Sequence, residues 1–383
     1  MALNPFTWQD PITDPARIVG RTEFAELVAL RLKAGTNVAL FGVRGTGKTT
    51  FTVQLDRELR RRHGDDAPPS EVIYINLQWA LSLPALIAAV TAGMRRSATL
   101  SSKARHAIGS LEKEFGINLG VVQGSLKSGA VRTDAEDEQL LYKQLVSLRE
   151  LADPLVVIFD EFQRLRACRG RPLAVVRDAL GGVDAGHVSM LLTGSIREAL
   201  RMLLEQSDEP LFQQAAPMDL PEIEFADWFD YLSLSFSSTG KQAADSAIEH
   251  LLRLTRGHPR RTQQVAWSVW EATSTDERVG LEAIEPALAS SVAMSGVGDE
   301  LARLIEEDDT LARLLSILSE QDGLTSISGE QLHRYGLSHW STASRGLERL
   351  RARGFAEQRD NVWTVSDPFF SEWLRRNSPF RQA

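Results

Sequence analysis

Residues 42–49 read Gly-Val-Arg-Gly-Thr-Gly-Lys-Thr, an instance of G-x-x-x-x-G-K-[ST]. Gly42, Gly45 and Gly47 allow backbone angles that turn the N–H groups of the loop (Val43, Arg44, Thr46 and their neighbours) inward as a nest for phosphate oxygens. Lys48 has the reach and charge for β- and γ-phosphates, and the Thr49 hydroxyl suits Mg²⁺, with Thr50 next in the same turn. A phosphate loop needs an acidic partner. "PLVVIFDEFQRL" (154–165) offers one, because an apolar run ends on Asp160-Glu161. Asp160 would support the metal, directly or through water, and Glu161 would orient and deprotonate an attacking water. A plain glycine turn and an acidic helix cap are the bland alternatives. Their context argues against them: "TNVALF" (36–41) reads as a buried strand, and "KTTFTVQLDRELRRR" (48–62) as a helix whose N-terminus faces the loop.

The two motifs together point to a nucleoside triphosphatase. Guanine recognition would normally use Asn-Lys-x-Asp, and no asparagine here precedes a lysine, so ATP/ADP with Mg²⁺ is expected. A third strand, "HVSMLLTGS" (187–195), ends on Thr193 and Ser195, which could sense the γ-phosphate or the water; a small-residue turn is the alternative.

These residues must be held by a scaffold. Strand-like runs at 37–41, 72–76, 155–159 and 188–193 alternate with helical patterns, which predicts an α/β fold with a parallel sheet covered by helices on both faces. The glycine-rich stretch 116–131 reads as a hairpin, a partner-touching loop or a connector. From about Pro221 no parallel strand recurs. Helical segments at 225–236, 241–257 and 259–274 suggest a small lid, with Gly257 ending one helix and Pro259 starting the next.

The end of the chain changes character. Helices at 300–323, 328–336 and 338–354 precede a short hairpin around Arg359-Asp360-Asn361, the order of a winged helix-turn-helix. In the third helix Trp340, Ala343, Leu347 and Leu350 fall on the face expected to pack inward. Ser338, Ser341, Thr342, Arg345 and Arg349 fall opposite and, with Arg359, are candidates for contacts to duplex DNA through 330–366. Residues 331–383 hold nine arginines, no lysine and five carboxylates, although the whole chain is at −8. That overall charge excludes a protein that coats nucleic acid with its entire surface. Winged helices also dock proteins, so self-association or a protein partner stands beside DNA.

Of the 383 residues, 43% are apolar and 25% charged, which fits two or three globular domains. The expected boundaries are 1–220, 221–297 and 298–383. No segment near Met1 resembles a secretion signal, and the longest apolar stretch, 83–94, is too short to span a bilayer. Cys168 is the sole cysteine, and the seven histidines show no metal-ligand spacing. A cytoplasmic protein without a membrane is the expectation.

Taken in order, "IVGRTEF" (18–24), the phosphate loop, "DEFQ" (160–163), "TGS" (193–195), "GHPRRTQQ" (257–264) and "VSDPFFSEWLRR" (365–376) resemble the AAA+ P-loop ATPases of the origin-recognition/initiator type. Most similar is the archaeal-type ATPase family, often grouped with the signal-transduction ATPases with numerous domains. The likeness covers roughly residues 10–378. It implies Val19 and Gly20 at the adenine, Pro259 in the Gly-x-Pro segment of the lid, and Arg260 near the phosphates as a second sensor. Arg261 competes for that last role. Arg164, Arg166, Arg197 and Arg201 are placed where an arginine finger could be, and none is singled out. The resemblance implies a slow ATPase that acts as a switch on DNA, or a signalling scaffold that oligomerises or docks proteins. A metabolic kinase would need an acceptor pocket of which the sequence gives no sign.

Overall fold

The computed structural model describes residues 3–61, 69–97, 101–115, 121–122, 125–126, 132–181, 188–274, 277–321, 323–337 and 339–380. The chain divides into two compact units, Arg21–Gly42 with Lys48–Leu220, and Met1–Gly20 with Val43–Gly47 and Pro221–Ala383.

The first unit is built on five parallel strands, β1 (Val38–Phe41), β2 (Glu71–Asn76), β3 (Leu155–Asp160), β4 (Val188–Gly194) and β5 (Ala216–Asp219), in the order β2-β3-β4-β1-β5. Side chains alternate between the two faces of a strand. Val38, Leu40, Val72, Val156, Ile158 and Leu191 therefore enter one core, against the helices Thr22–Lys33 and Lys48–Arg60. Ala39, Phe41, Ile73, Ile75, Val157, Phe159, Met190 and Leu192 enter the other, against the helices Leu83–Arg96 and Asp134–Arg149 among others. Both faces are covered, which is why the inner strands read as unbroken apolar runs.

β5 was not foreseen. Its half-exposed pattern and Pro217 conceal it, and proline is tolerated because the strand lies at the sheet edge, paired among the described residues with β1 alone. Within 116–131 only Val121–Val122 and Ser125–Leu126 are described, and they pair antiparallel.

The second unit has one continuous apolar core. The helices Phe225–Ser237, Asp245–Thr255, Pro259–Ala272 and Ile284–Met294 share it with the winged-helix elements: the helices Val297–Glu307, Asp309–Ser319, Gly329–Arg334 and Trp340–Ala352, the hairpin strands β6 (Ala356–Arg359) and β7 (Val362–Val365), and the closing helix Pro368–Asn377. The helices expected to form a lid thus share their core with the winged helix. Contrary to expectation, a short parallel pair does recur here, Gln242–Ala243 with Arg278–Val279. The helix expected over 300–323 is two helices. Asp308 leaves helical geometry (φ −157°) and its carboxylate caps Leu311 N–H, so the helix breaks within "EEDD". Asp360 and Asn361 both take positive φ in the β6–β7 turn, as a tight two-residue hairpin requires. Among the described residues no helix is long and apolar enough to cross a membrane.

Candidate functional site: a phosphate loop, an acidic strand end and a lid

β1 delivers the chain to Gly42, and the helix Lys48–Arg60 takes it up again. Gly45 and Gly47 sit at φ +85° and +87°, the left-handed region in which glycine is free of Cβ strain. Lys48 is buried, and its Nζ donates to the Gly42 carbonyl at 2.7 Å. Thr49 and Thr50 open the helix, at the end where the helix dipole favours an anion.

The ends of β3 and β4 lie side by side and carry the acidic chemistry. Asp160 is buried, and both its carboxylate oxygens are engaged: Tyr74 O–H donates to Oδ2 at 2.5 Å, and Thr193 Oγ1 donates to Oδ1. Glu161 has φ +60°, unusual for a residue with a side chain, and its N–H is held by Asp160 Oδ1 at 3.1 Å. Two donors converge on Glu161 Oε2, Ser195 Oγ at 2.7 Å and Gln163 Nε2 at 2.6 Å. Thr193 and Ser195, expected at the phosphate or the water, are thus hydrogen-bonded to the two carboxylates. Burial, then the charge of Asp160, pushes the Tyr74 hydroxyl well above its usual range, so it stays a proton donor.

Sequence reasoning missed Tyr74 altogether. Its place beside Asp160 follows from the β2–β3 register, Tyr74 opposite Ile158 and Asn76 opposite Asp160. Gln163 stood in a quoted motif without a role. With Thr49 and Asp160, the donor set offered to an ion is all oxygen, one hydroxyl and one carboxylate. That fits Mg²⁺, which retains waters and takes few protein ligands.

In the other unit, the loop crest Val43–Gly47 lies with the start of the lid helix Pro259–Ala272. Arg260 N–H donates to the Gly45 carbonyl at 3.3 Å, and a Cβ on Gly45 would come within 2.7 Å of His258 Cε1. Pro259 occupies the first turn of that helix, where its missing N–H costs nothing. Arg260 is half-buried beside Trp8, with its guanidinium 5.8 Å from the ring centre. Burial, then Arg261 and Arg44, lowers its pKa. Its competitor Arg261 is buried and committed elsewhere, to a bidentate pair with Asp367 (2.6 Å at the closest) and to Gln264. His258, not foreseen, accepts the Arg261 N–H at Nδ1. Burial, only partly opposed by Asp367, pulls its pKa down to about 4, so the ring is neutral near pH 7.

Val19 is buried in this unit's core. Gly20, at φ +62°, lies so close to Asp227 and Ile223 that a Cβ would collide. Ile223 also lines a pocket of about 480 Å³ with Phe225, Trp228, Leu252 and Gly257.

The helix Trp340–Ala352 presents less free charge than its sequence suggested. Arg349 pairs with Asp308 at 2.6 Å, and Arg359 with Glu222 at 3.0 Å and Glu357 at 3.1 Å. Arg345 is exposed and bonds only the Ser341 carbonyl among the described residues. Ser341 is exposed, Thr342 is half-buried, and Ser338 lies outside the described residues. Trp340 corrects the expected inward face. Ala343, Leu347 and Leu350 are buried, but Trp340 is 52% exposed because it is the first residue of the helix and overhangs the core. Of the arginines considered for a finger, Arg197 pairs with Asp219, Arg201 with Glu205 and Arg166 with Glu209.

Residues 301–376 match a family model described as a probable winged helix domain. No curated protein matches the chain. Solved structures do. The Walker-type ATPase PABY2304 of Pyrococcus abyssi superposes with a TM-score of 0.66 at 18% identity, covering 96% of this chain and 99% of that one. The Aeropyrum pernix ORC2 protein in its ADPNP–ADP complexes gives 0.58 at 17%, covering 94% of each. Its ADP form gives 0.52 at 16%, covering 96% and 95%. At such identities the likeness is one of fold, and it runs nearly end to end. The chain shares the fold of these ATPase and ORC2 structures, a parallel α/β sheet unit followed by helices and a winged helix domain.

Proposed function

We propose that the chain binds MgATP and hydrolyses it slowly to ADP and phosphate, using the nucleotide state as a signal. The observation that carries this reading is the pairing at the ends of β3 and β4, where Asp160 and Glu161 are each hydrogen-bonded by a hydroxyl from Thr193-Gly194-Ser195. That arrangement fixes two adjacent carboxylates for different tasks. Asp160, with Thr49, holds the ion, which neutralises charge on the phosphate oxygens when bound. Glu161 takes a proton from water as the water oxygen bonds to the γ-phosphorus and the bond to the β-phosphate oxygen breaks. Lys48 and the loop N–H groups steady the phosphates. Val19 and Gly20 are assigned to the adenine, and Arg260 to sensing the phosphates, the latter supported by its bond to Gly45. Nucleotide in the A. pernix ORC2 structures agrees with this reading.

The effector end is assigned to the winged helix, with duplex DNA as partner through Arg345, Ser341 and Thr342. A specific observation favours a second reading, a protein-docking scaffold: Arg349 and Arg359 are already paired with carboxylates of the chain itself. The test is fluorescence anisotropy of a labelled duplex against wild type and Arg345→Ala, with and without ATP. Salt-sensitive binding weakened by the substitution supports DNA; no binding in either nucleotide state supports the scaffold.

A further inference from the structure

We propose that Gln163 is the residue that positions Glu161 for proton abstraction, and that Gly194 is a glycine in order to let it do so. The inference rests on the ATPase reading above and adds to it a specific division of labour within the carboxylate.

Gln163 Nε2 and Ser195 Oγ both donate to the same oxygen of Glu161, Oε2. Among the described residues no donor reaches Oε1. Two charge-assisted bonds on one oxygen localise charge there and stop rotation of the carboxylate. Oε1 is left as the oxygen that accepts a proton. Glu161 stands at φ +60° between the strand Leu155–Asp160 and the short helix Phe162–Ala167, whose Arg164 N–H bonds the Glu161 carbonyl, so the backbone fixes where the side chain starts and the two donors fix where it points.

Gln163 is itself buried, and among the described residues no donor reaches its Oε1. It is held by shape instead. A Cβ on Gly194 would lie 2.3 Å from Gln163 Oε1, so the amide occupies the space that any other residue at 194 would fill. Exchanging the amide's oxygen and nitrogen would set Oε1 against Glu161 Oε2, two acceptors face to face, so the donor orientation is the only one compatible with an ionised Glu161. Gly194 carries no positive φ, so its backbone does not call for glycine. Clearance for Gln163 does. "DEFQ" and "TGS", on adjacent strands, are therefore one sterically matched device.

A substitution at Gly194 reaches Glu161 through Gln163 or through its neighbour Ser195, and the double variant tells the two routes apart, because only the first is relieved when the amide is removed. Steady-state phosphate release from MgATP is measured for wild type, Gln163→Ala, the isosteric Gln163→Glu, Gly194→Ala, and the double variant Gln163→Ala/Gly194→Ala. Equilibrium binding is followed with a fluorescent N-methylanthraniloyl ATP. Each single variant is expected to lose roughly tenfold or more in kcat, a part of what general base catalysis contributes, with KM and analogue affinity within about twofold. The double variant is expected to be no slower than Gln163→Ala, because the clash disappears with the amide. Unchanged kcat in Gln163→Ala and Gly194→Ala overturns the proposal, as does a loss of kcat that merely follows lost analogue binding, the mark of a structural role. Wild type that binds the analogue without hydrolysing ATP, or binds nothing, overturns the ATPase reading beneath it.

Discussion

Residue types and spacing carried the chemistry of single positions into view. The strand–turn–helix around Gly42 to Thr49 and the acidic strand end at Asp160-Glu161 were legible because an apolar run, a glycine turn and a helical pattern follow one another in the sequence, and their phosphate and metal roles belong to the proposal. Tyr74 and Gln163 were not, because their partners are set by strand register and by the clearance at Gly194, neither of which is encoded locally. Glu161→Gln should retain nucleotide binding and lose on the order of 10² or more in kcat, read by single-turnover phosphate release. His258 offers a second check. The unfolded ring titrates at its ordinary value near 6.5, whereas the folded one titrates at about 4. The unfolded state therefore binds the extra proton first, so stability is full above pH 6.5 and falls as pH drops from there to about 4. Urea denaturation across that range should show this decline, and His258→Phe should flatten it.

At the scale of elements, strands and helices mostly came where periodicity put them, since both faces of the sheet are covered and the inner strands must be apolar throughout. The exceptions have local causes: an edge strand disguised by Pro217, and a helix broken by the capping carboxylate of Asp308. The join between the lid helix Pro259–Ala272 and the closing helix Pro368–Asn377 was invisible in the sequence, because its two halves, Arg261 and Asp367, lie 106 residues apart. Asp367 accepts both that guanidinium and the Phe369 N–H at the start of its helix. Burial works against its charge, yet Arg261 holds its carboxyl below the usual range. Asp367→Ala should therefore cost about 3–5 kcal/mol by leaving Arg261 buried and unpaired. Restoring an apolar side chain with Arg261→Met in the same protein should recover part of that loss. Chemical denaturation of both variants measures this directly, and equal stability of Asp367→Ala and wild type would sink the claim.

Over the whole molecule, the order of segments was readable while the division between them was less so. Lid and winged helix share one apolar core, and the loop crest Val43–Gly47 groups with that unit. Continuity of packing from the loop crest through His258, Arg261 and Asp367 into the winged helix gives a physical route by which phosphate occupancy could bias the C-terminal domain. The central claim is hydrolysis of ATP at Lys48, Asp160 and Glu161. Steady-state phosphate release from MgATP by wild type, Lys48→Ala and Glu161→Gln tests it most directly, each with and without duplex DNA. A slow wild-type rate, abolished in Lys48→Ala and nearly so in Glu161→Gln, is the expected result, and stimulation by DNA would place the winged helix on nucleic acid. A rate that survives Lys48→Ala, or no release by wild type under any condition, would contradict the account.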